Sequence, residues 1–324
     1  VQQNHSYRPE IDGLRAIAVL SVVGYHLFPN ALSGGLFGVD VFFVISGYLI
    51  SGILLKELNE GRFSFSQFYK RRVRRIFPAL ILVLVSCLGI GWFLLSPNEY
   101  RELGSHVLSG AGFSANLALF SERGFYFAPE AEQNPLLHLW SLGIEEQFYI
   151  FWPVALVALY RLPGKFKWLC PSVIFCLVLL SFGLNFIFDR NVPLASFYLP
   201  LPRAWELLAG CLLASLGPNH FTQSKVFSET MTAMGLALIA FGVFWLEVKP
   251  ELGLGLYALA PVSGSFLVLL SGSSSWLGRK LLSHPVAVFF GLISYPLYLW
   301  HWPLLSLAKI ILWQDLGSVE KAAI

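Results

Sequence analysis

The chain has 324 residues, 56% of them hydrophobic and only 13% charged, about half the charged share of an ordinary globular protein. So few charges cannot cover the surface of a soluble fold of this size, and a mean hydropathy of +0.65 points to a bilayer as the solvent. The formal net charge of +3 says little by itself, and no nucleic-acid partner is expected.

The apolar residues fall in long runs whose length suits a bilayer core about 30 Å thick, and backbone amides in lipid must be satisfied within their own segment. The fold class expected is therefore all-α, a polytopic transmembrane bundle of about ten helices. The short alternating segments of a β-barrel are not visible. In chain order the runs predict helices over 14–28, 36–55, 76–95, 104–120, 137–160, 169–188, 196–216, 230–247, 252–270 and 286–313. No signal peptide is expected, because the start is polar and the first run leads straight into a second. Cys87, Cys170, Cys176 and Cys211 all sit in apolar runs without metal spacing and read as core packing.

Arg15 precedes or opens the first helix and His26 lies within it. Eleven residues of helix bring the pair back to within about 20° of one face, about 16 Å apart along the axis. A cation at the mouth and an imidazole deep in the membrane would then look into one groove. The plainer alternative is a snorkelling arginine and a histidine bonded in the core. In the second helix, Gly38-Val39-Asp40-Val41-Phe42-Phe43-Val44-Ile45-Ser46-Gly47-Tyr48 puts Asp40 at a depth similar to that of His26. A carboxylate there could hold the imidazole in one tautomer, or could simply sit at the outer interface.

Between Lys56 and Arg75 lie seven basic and two acidic residues. By the positive-inside rule this loop and the N-terminus face the cytoplasm. Two Arg-x-x-Arg registers overlap in it, Arg71/Arg74 and Arg72/Arg75, and on a helix each pair shares a face. Guanidinium forks suit phosphate oxygens, although such clusters commonly serve as topology signals or bind anionic membrane lipid.

The segment 104–120 is weakly apolar. If it crosses, Arg161, Lys165 and Lys167 lie outside, against the rule. If it is partial or re-entrant, they and Arg279–Lys280 lie inside, so nine or ten crossings are open. Further on, Glu145 and Glu146 are adjacent in an apolar run, and at least one must face the bundle or a cavity, for proton chemistry or an ion pair. Arg203 and Glu206 are spaced to pair with each other. His301 in Tyr298-Leu299-Trp300-His301-Trp302-Pro303 reads more readily as aromatic packing or an interfacial belt. His-Glu-x-x-His, P-loop and G-x-S-x-G motifs are absent from the sequence, and no metal is expected.

Taken together these stretches resemble the bacterial membrane-bound acyltransferase family 3. Arg8–Arg15 with His26, Gly38–Tyr48, Arg71–Pro78, Leu137–Tyr149, Arg203–Gly210 and Tyr295–Pro303 carry the likeness, which covers nearly the whole chain. Within the family it is most similar to O-antigen acetyltransferases, which often carry an SGNH hydrolase-like domain after the membrane part. The resemblance implies that residues 1–324 are a transmembrane acyltransferase domain, expected to be the N-terminal part of a longer protein, with a fused or separate SGNH domain as partner.

It further implies an O-acetyltransferase of the bacterial inner membrane. Acetyl would pass from cytoplasmic acetyl-CoA to a hydroxyl of an extracytoplasmic polysaccharide, or a lipid-linked glycan, such as O-antigen of lipopolysaccharide. Arg15 with Arg71, Arg72, Arg74 and Arg75, in one register or the other, would bind CoA. His26, with Asp40 and Glu145, would be catalytic. A pantetheine arm of about 15–20 Å could span the distance from Arg15 to His26. The ten core helices usual in the family favour counting 104–120 as a crossing. The competing reading is a transporter of an organic anion or a lipid-linked sugar, which buried Arg, His and Glu suit equally well; a non-catalytic scaffold is the third.

Overall fold

A computed structural model describes residues 7–122, 133–161, 166–217, 224–247 and 255–312, without the side chains of 166–168. Every element in it is helical. The order is α1 Pro9–Leu27, α2 Gly38–Asn59, α3 Phe65–Leu94, α4 Pro97–Ala111, α5 Ala115–Ser121, α6 Leu139–Tyr160, α7 Phe166–Asn191, α8 Pro193–Tyr198, α9 Pro200–Leu216, α10 Lys225–Trp245, α11 Gly255–Ser271, α12 Pro285–Leu292 and α13 Ser294–Leu312. A 3-10 turn (Gly35–Phe37) leads into α2, and a π-helical turn (Gly278–Leu282) precedes α12. Among the described residues, five helical stretches are long and apolar enough to cross a membrane: Gly35–Asn59, Phe65–Leu94, Leu139–Tyr160, Leu169–Asn191 and Lys225–Trp245. The protein is a multi-pass membrane protein.

Each predicted run falls on helix, with instructive differences. The basic stretch expected as a loop is mostly helix: α3 starts at Phe65, where the Ser64 side chain accepts from the Gln67 amide, and only a short turn with Gly61 at φ +66 separates it from α2. Lysine and arginine are good helix formers, so the helix continues past the apolar boundary. The run 196–216 is split because Leu199, before Pro200, is extended. The run 286–313 is split at Ile293; residues 252–254 and 313 lie outside the described residues.

Helix directions settle the segment 104–120. α6 runs parallel to α2, with Ser46 against Glu145, Ser51 against Trp152 (2.8 Å) and Asn59 against Tyr160 (3.2 Å). α3 runs the opposite way, its Arg71 bonded to Glu57 near the end of α2. The chain between α3 and α6 therefore leaves and returns at the same end of the bundle. α4 is 15 residues, about 22 Å, too short for a bilayer core. It stops at a turn where Phe113 has φ +54, and α5 doubles back so that Glu122 meets His106 at 3.2 Å. The segment is a broken hairpin rather than a crossing. Arg161 then lies at the basic end with Gly61, as does the Arg279–Lys280 turn, since Leu282 packs on Gly13 at the start of α1. Lys165 lies outside the described residues.

Two helices at the centre meet backbone to backbone. A Cβ at Gly47 of α2 would overlap the Leu207 carbonyl, and one at Gly210 of α9 would overlap the Val44 carbonyl. That closeness fixes what α2 presents to its other neighbours. Trp140, Phe37, Phe43, Leu14 and Tyr198 fill the core around this pair. The outer faces of α3, α6 and α7 expose Phe93, Phe151 and Leu180, as lipid-facing helices should.

Candidate functional site

Five helices enclose a cavity of about 850 Å³, counting its open mouth. α1 contributes Arg15, α2 Phe42 and Ser46, α3 Arg72 and Arg75, α6 Ser141, Glu145, Glu146 and Tyr149, and α13 Tyr295 and Tyr298. The helical period explains the selection: Arg72, Arg75 and Ile76 share one face of α3, while Ser141, Glu145 and Tyr149 recur every four residues along α6.

This geometry separates the two arginine registers. Arg72 and Arg75 face the cavity together with Arg15. Arg71 points away and pairs with Glu57 at 2.7 Å, and Arg74 is exposed outside the lining. The Arg72 guanidinium lies near the rings of Phe68 and Tyr149, and its buried Nε has no hydrogen-bond acceptor among the described residues. Arg15 is held by Asp12 at 3.3 Å, which in turn accepts from the Tyr7 hydroxyl at 2.6 Å. The Glu145 carboxylate accepts from the Ser46 hydroxyl and from the Tyr149 hydroxyl (2.5 Å), so it braces α2 against α6 at the cavity wall. Glu146 also lines the cavity.

His26 is not among the residues that line the cavity. Tyr298 is, and its hydroxyl is 2.6 Å from the Ser141 hydroxyl and 3.0 Å from the His138 carbonyl. Three residues further along α13, His301 gathers with two more imidazoles. His26 Nδ1 is 3.2 Å from His301 Nε2, and His301 Nδ1 is 2.5 Å from the Tyr298 carbonyl oxygen. The His138 ring lies 5.6 Å from that of His301, and Trp302 meets His26 edge-on at 4.6 Å. Arg15 and His26 thus stand at successive levels of one helix, but only Arg15 lines the cavity, so the single groove expected from their spacing is not formed.

The pair expected between Asp40 and His26 is not made. Asp40 binds Arg203 at 3.0 Å, and the same guanidinium nitrogen reaches Glu206 at 2.9 Å, with every member buried. Asp40 opens α2 and Arg203 opens α9, so the close Gly47–Gly210 packing brings those two starts together, on the side of α2 away from α1's His26. The Arg203–Glu206 pair is as the spacing predicts. His301, read as packing, is instead the direct neighbour of His26. Tyr298, Ser141, Ser46, Tyr149 and His138 escaped sequence reasoning. The four-residue repeat of polar groups in α6, and the three-residue step from Tyr298 to His301, were the signals available.

Residues 8–318 match the family described as an acyltransferase domain. A Bacillus subtilis protein provisionally named a peptidoglycan O-acetyltransferase is 35% identical across 98% of this chain. A Staphylococcus aureus protein provisionally named an O-acetyltransferase is 36% identical across 93%. The peptidoglycan O-acetyltransferase of Listeria monocytogenes is 32% identical across 95%. In each case the match covers 51% of the relative, so the chain spans about half the length of the curated relatives it matches. Two of the three are named for peptidoglycan, where the sequence had pointed to O-antigen. No solved structure matches.

Proposed function

The chain belongs to this acyltransferase family, and from that premise we propose that it takes acetyl from acetyl-CoA and places it on a hydroxyl of a cell-surface polysaccharide. Peptidoglycan is the first acceptor to test, because two relatives carry it in their names; O-antigen is the second. The observation that carries the reading is the convergence of Arg15, Arg72 and Arg75 on one cavity, with Arg72 Nε lacking an acceptor among the described residues, near an imidazole cluster.

Guanidinium groups bind phosphate oxygens through charge-assisted bonds, and CoA offers phosphates at one end and a thioester at the other. The three arginines would hold the phosphates, and the pantetheine arm would run towards Tyr298. A sugar hydroxyl attacks well only as its proton is removed. His26 would take that proton while the new ester C–O bond forms and the thioester C–S bond breaks; the leaving thiolate then receives the proton as CoA thiol. His26 carrying the acetyl group itself is a two-step variant of the same chemistry. Because His26 does not line the cavity, either version has a side chain at the cavity's edge move aside, and Tyr298, three residues before His301, is the one this reading assigns. In this reading Glu145 shapes the cavity wall, and Asp40 anchors Arg203 rather than His26. The basic end faces the cytoplasm by the positive-inside rule. The chain would be the membrane part of a longer protein, with an SGNH-type domain as the partner that handles the acceptor.

The test is purified protein with labelled acetyl-CoA and either peptidoglycan fragments or O-antigen polysaccharide. Ester label in the glycan is expected, absent in His26→Ala. Undiminished acetylation by a normally inserted His26→Ala protein would overturn the assignment. Flux of an organic anion through liposomes with no acyl product would favour the transporter reading.

A further inference from the structure

We propose that His301 is a positioning residue that fixes the tautomer of His26, doing with a second imidazole what a carboxylate often does for a catalytic histidine. The inference rests on the reading of His26 as the group that accepts the hydroxyl proton.

The argument starts at a backbone atom. The Tyr298 carbonyl oxygen has no hydrogen and can only accept. It lies 2.5 Å from His301 Nδ1, so that nitrogen carries the proton and donates. Within α13 the two residues are three apart, which puts the ring over the preceding turn where that carbonyl points. His301 is buried and faces two other imidazoles, surroundings in which a charged ring is costly. A neutral ring with its proton on Nδ1 has its lone pair on Nε2. His26 Nδ1 stands 3.2 Å from that lone pair and must be the donor. The proton of a neutral His26 is thereby placed on Nδ1, and its lone pair on Nε2, the nitrogen at the outer end of the ring. Second partners of this kind set which ring nitrogen is basic. Asp40, which the sequence offered for this task, is taken by Arg203; the Tyr298 carbonyl and His301 together supply the same constraint without a charge.

Two amide variants separate this from packing. In His301→Gln the side-chain carbonyl reaches the place of Nε2 and can accept from His26 Nδ1–H. In His301→Asn the amide nitrogen takes the place of Nδ1 and keeps the bond to the Tyr298 carbonyl, but leaves His26 without its acceptor. Acetyl transfer to glycan should fall about 100-fold in His301→Asn and in His301→Ala, and by no more than about 10-fold in His301→Gln, with CoA affinity unchanged in all three. The reverse order, or equal loss in Asn and Gln, would assign His301 a packing role and overturn the proposal. Nitrogen NMR of histidine-labelled wild-type protein in bilayers gives a second readout independent of the variants. A proton on His26 Nδ1 is expected, and one on Nε2 of the neutral ring would refute the assignment. Full activity in His301→Ala beside an inactive His26→Ala would sink this inference alone; an active His26→Ala would remove the proposed function first.

Discussion

Single residues divide here by which way one helix turns them. Arg71, Arg72, Arg74 and Arg75 form two equivalent pairs in sequence, yet only Arg72 and Arg75 reach the cavity. Arg72→Gln and Arg75→Gln should each weaken CoA binding about tenfold or more, a loss of roughly 1.4 kcal/mol per decade, whereas Arg71→Gln and Arg74→Gln should stay within about twofold; calorimetry on detergent-solubilised protein separates them. Asp40 makes a different prediction. Its loss removes one of the two carboxylates that hold the buried Arg203 guanidinium and leaves Glu206 alone with it; breaking a buried pair by removing one partner costs up to about 3–5 kcal/mol. Asp40→Ala should therefore lower the melting temperature sharply in a thermal-unfolding assay, and the folded fraction should still bind CoA. A normal melting temperature with abolished chemistry would return Asp40 to the catalytic machinery. The arginines, His26, Asp40 and Glu145 were all legible as candidates, because an ionisable group in an apolar run is costly and asks for a reason. Their partners were not, since Ser46, Ser141 and Tyr298 are unremarkable in composition and gain meaning only from what faces them.

Helices meet the site through a few backbone contacts. Gly47 and Gly210 let α2 and α9 touch, which seats Asp40 on Arg203 and turns Ser46 towards Glu145. Gly47→Leu has no space to enter without moving the Leu207 carbonyl, and overpacking of this kind costs about 1–3 kcal/mol. Reduced thermal stability and weaker CoA binding are expected together in that variant; an unchanged melting temperature would show that α2 and α9 are free to separate. α4 shows the limit of reading elements from hydropathy. Its Ser96–Glu99 capping box starts a helix at the far end of α3, but the turn at Phe113 and the return of Glu122 to His106 make a hairpin of what looks like one weak run.

Among the described residues, several basic groups collect at one end of the bundle. The turn between α2 and α3, Arg161 at the end of α6 and the Arg279–Lys280 turn all gather at the end where α1 begins. On the proposed orientation, which follows the positive-inside rule, that end would lie in the cytoplasm. A cysteine placed at Gly61 in a variant freed of its four native cysteines should react with a membrane-impermeant maleimide only after the membrane is permeabilised; labelling of intact cells would invert the topology.

The solvent of this protein, its helical class, its family resemblance and its chemistry-bearing groups could all be read from the order of amino acids. Solvent and helical class follow from composition and from the period of a helix, and the resemblance is carried by short motifs; all of these are local. Tertiary structure alone decided which arginine register faces the cavity, that 104–120 doubles back, that Asp40 belongs to Arg203 and that His26 answers to His301. Each of these depends on which face of one helix meets another. In helices apolar on most sides, the hydrophobic pattern leaves that choice open, and close glycine contacts and buried polar pairs make it.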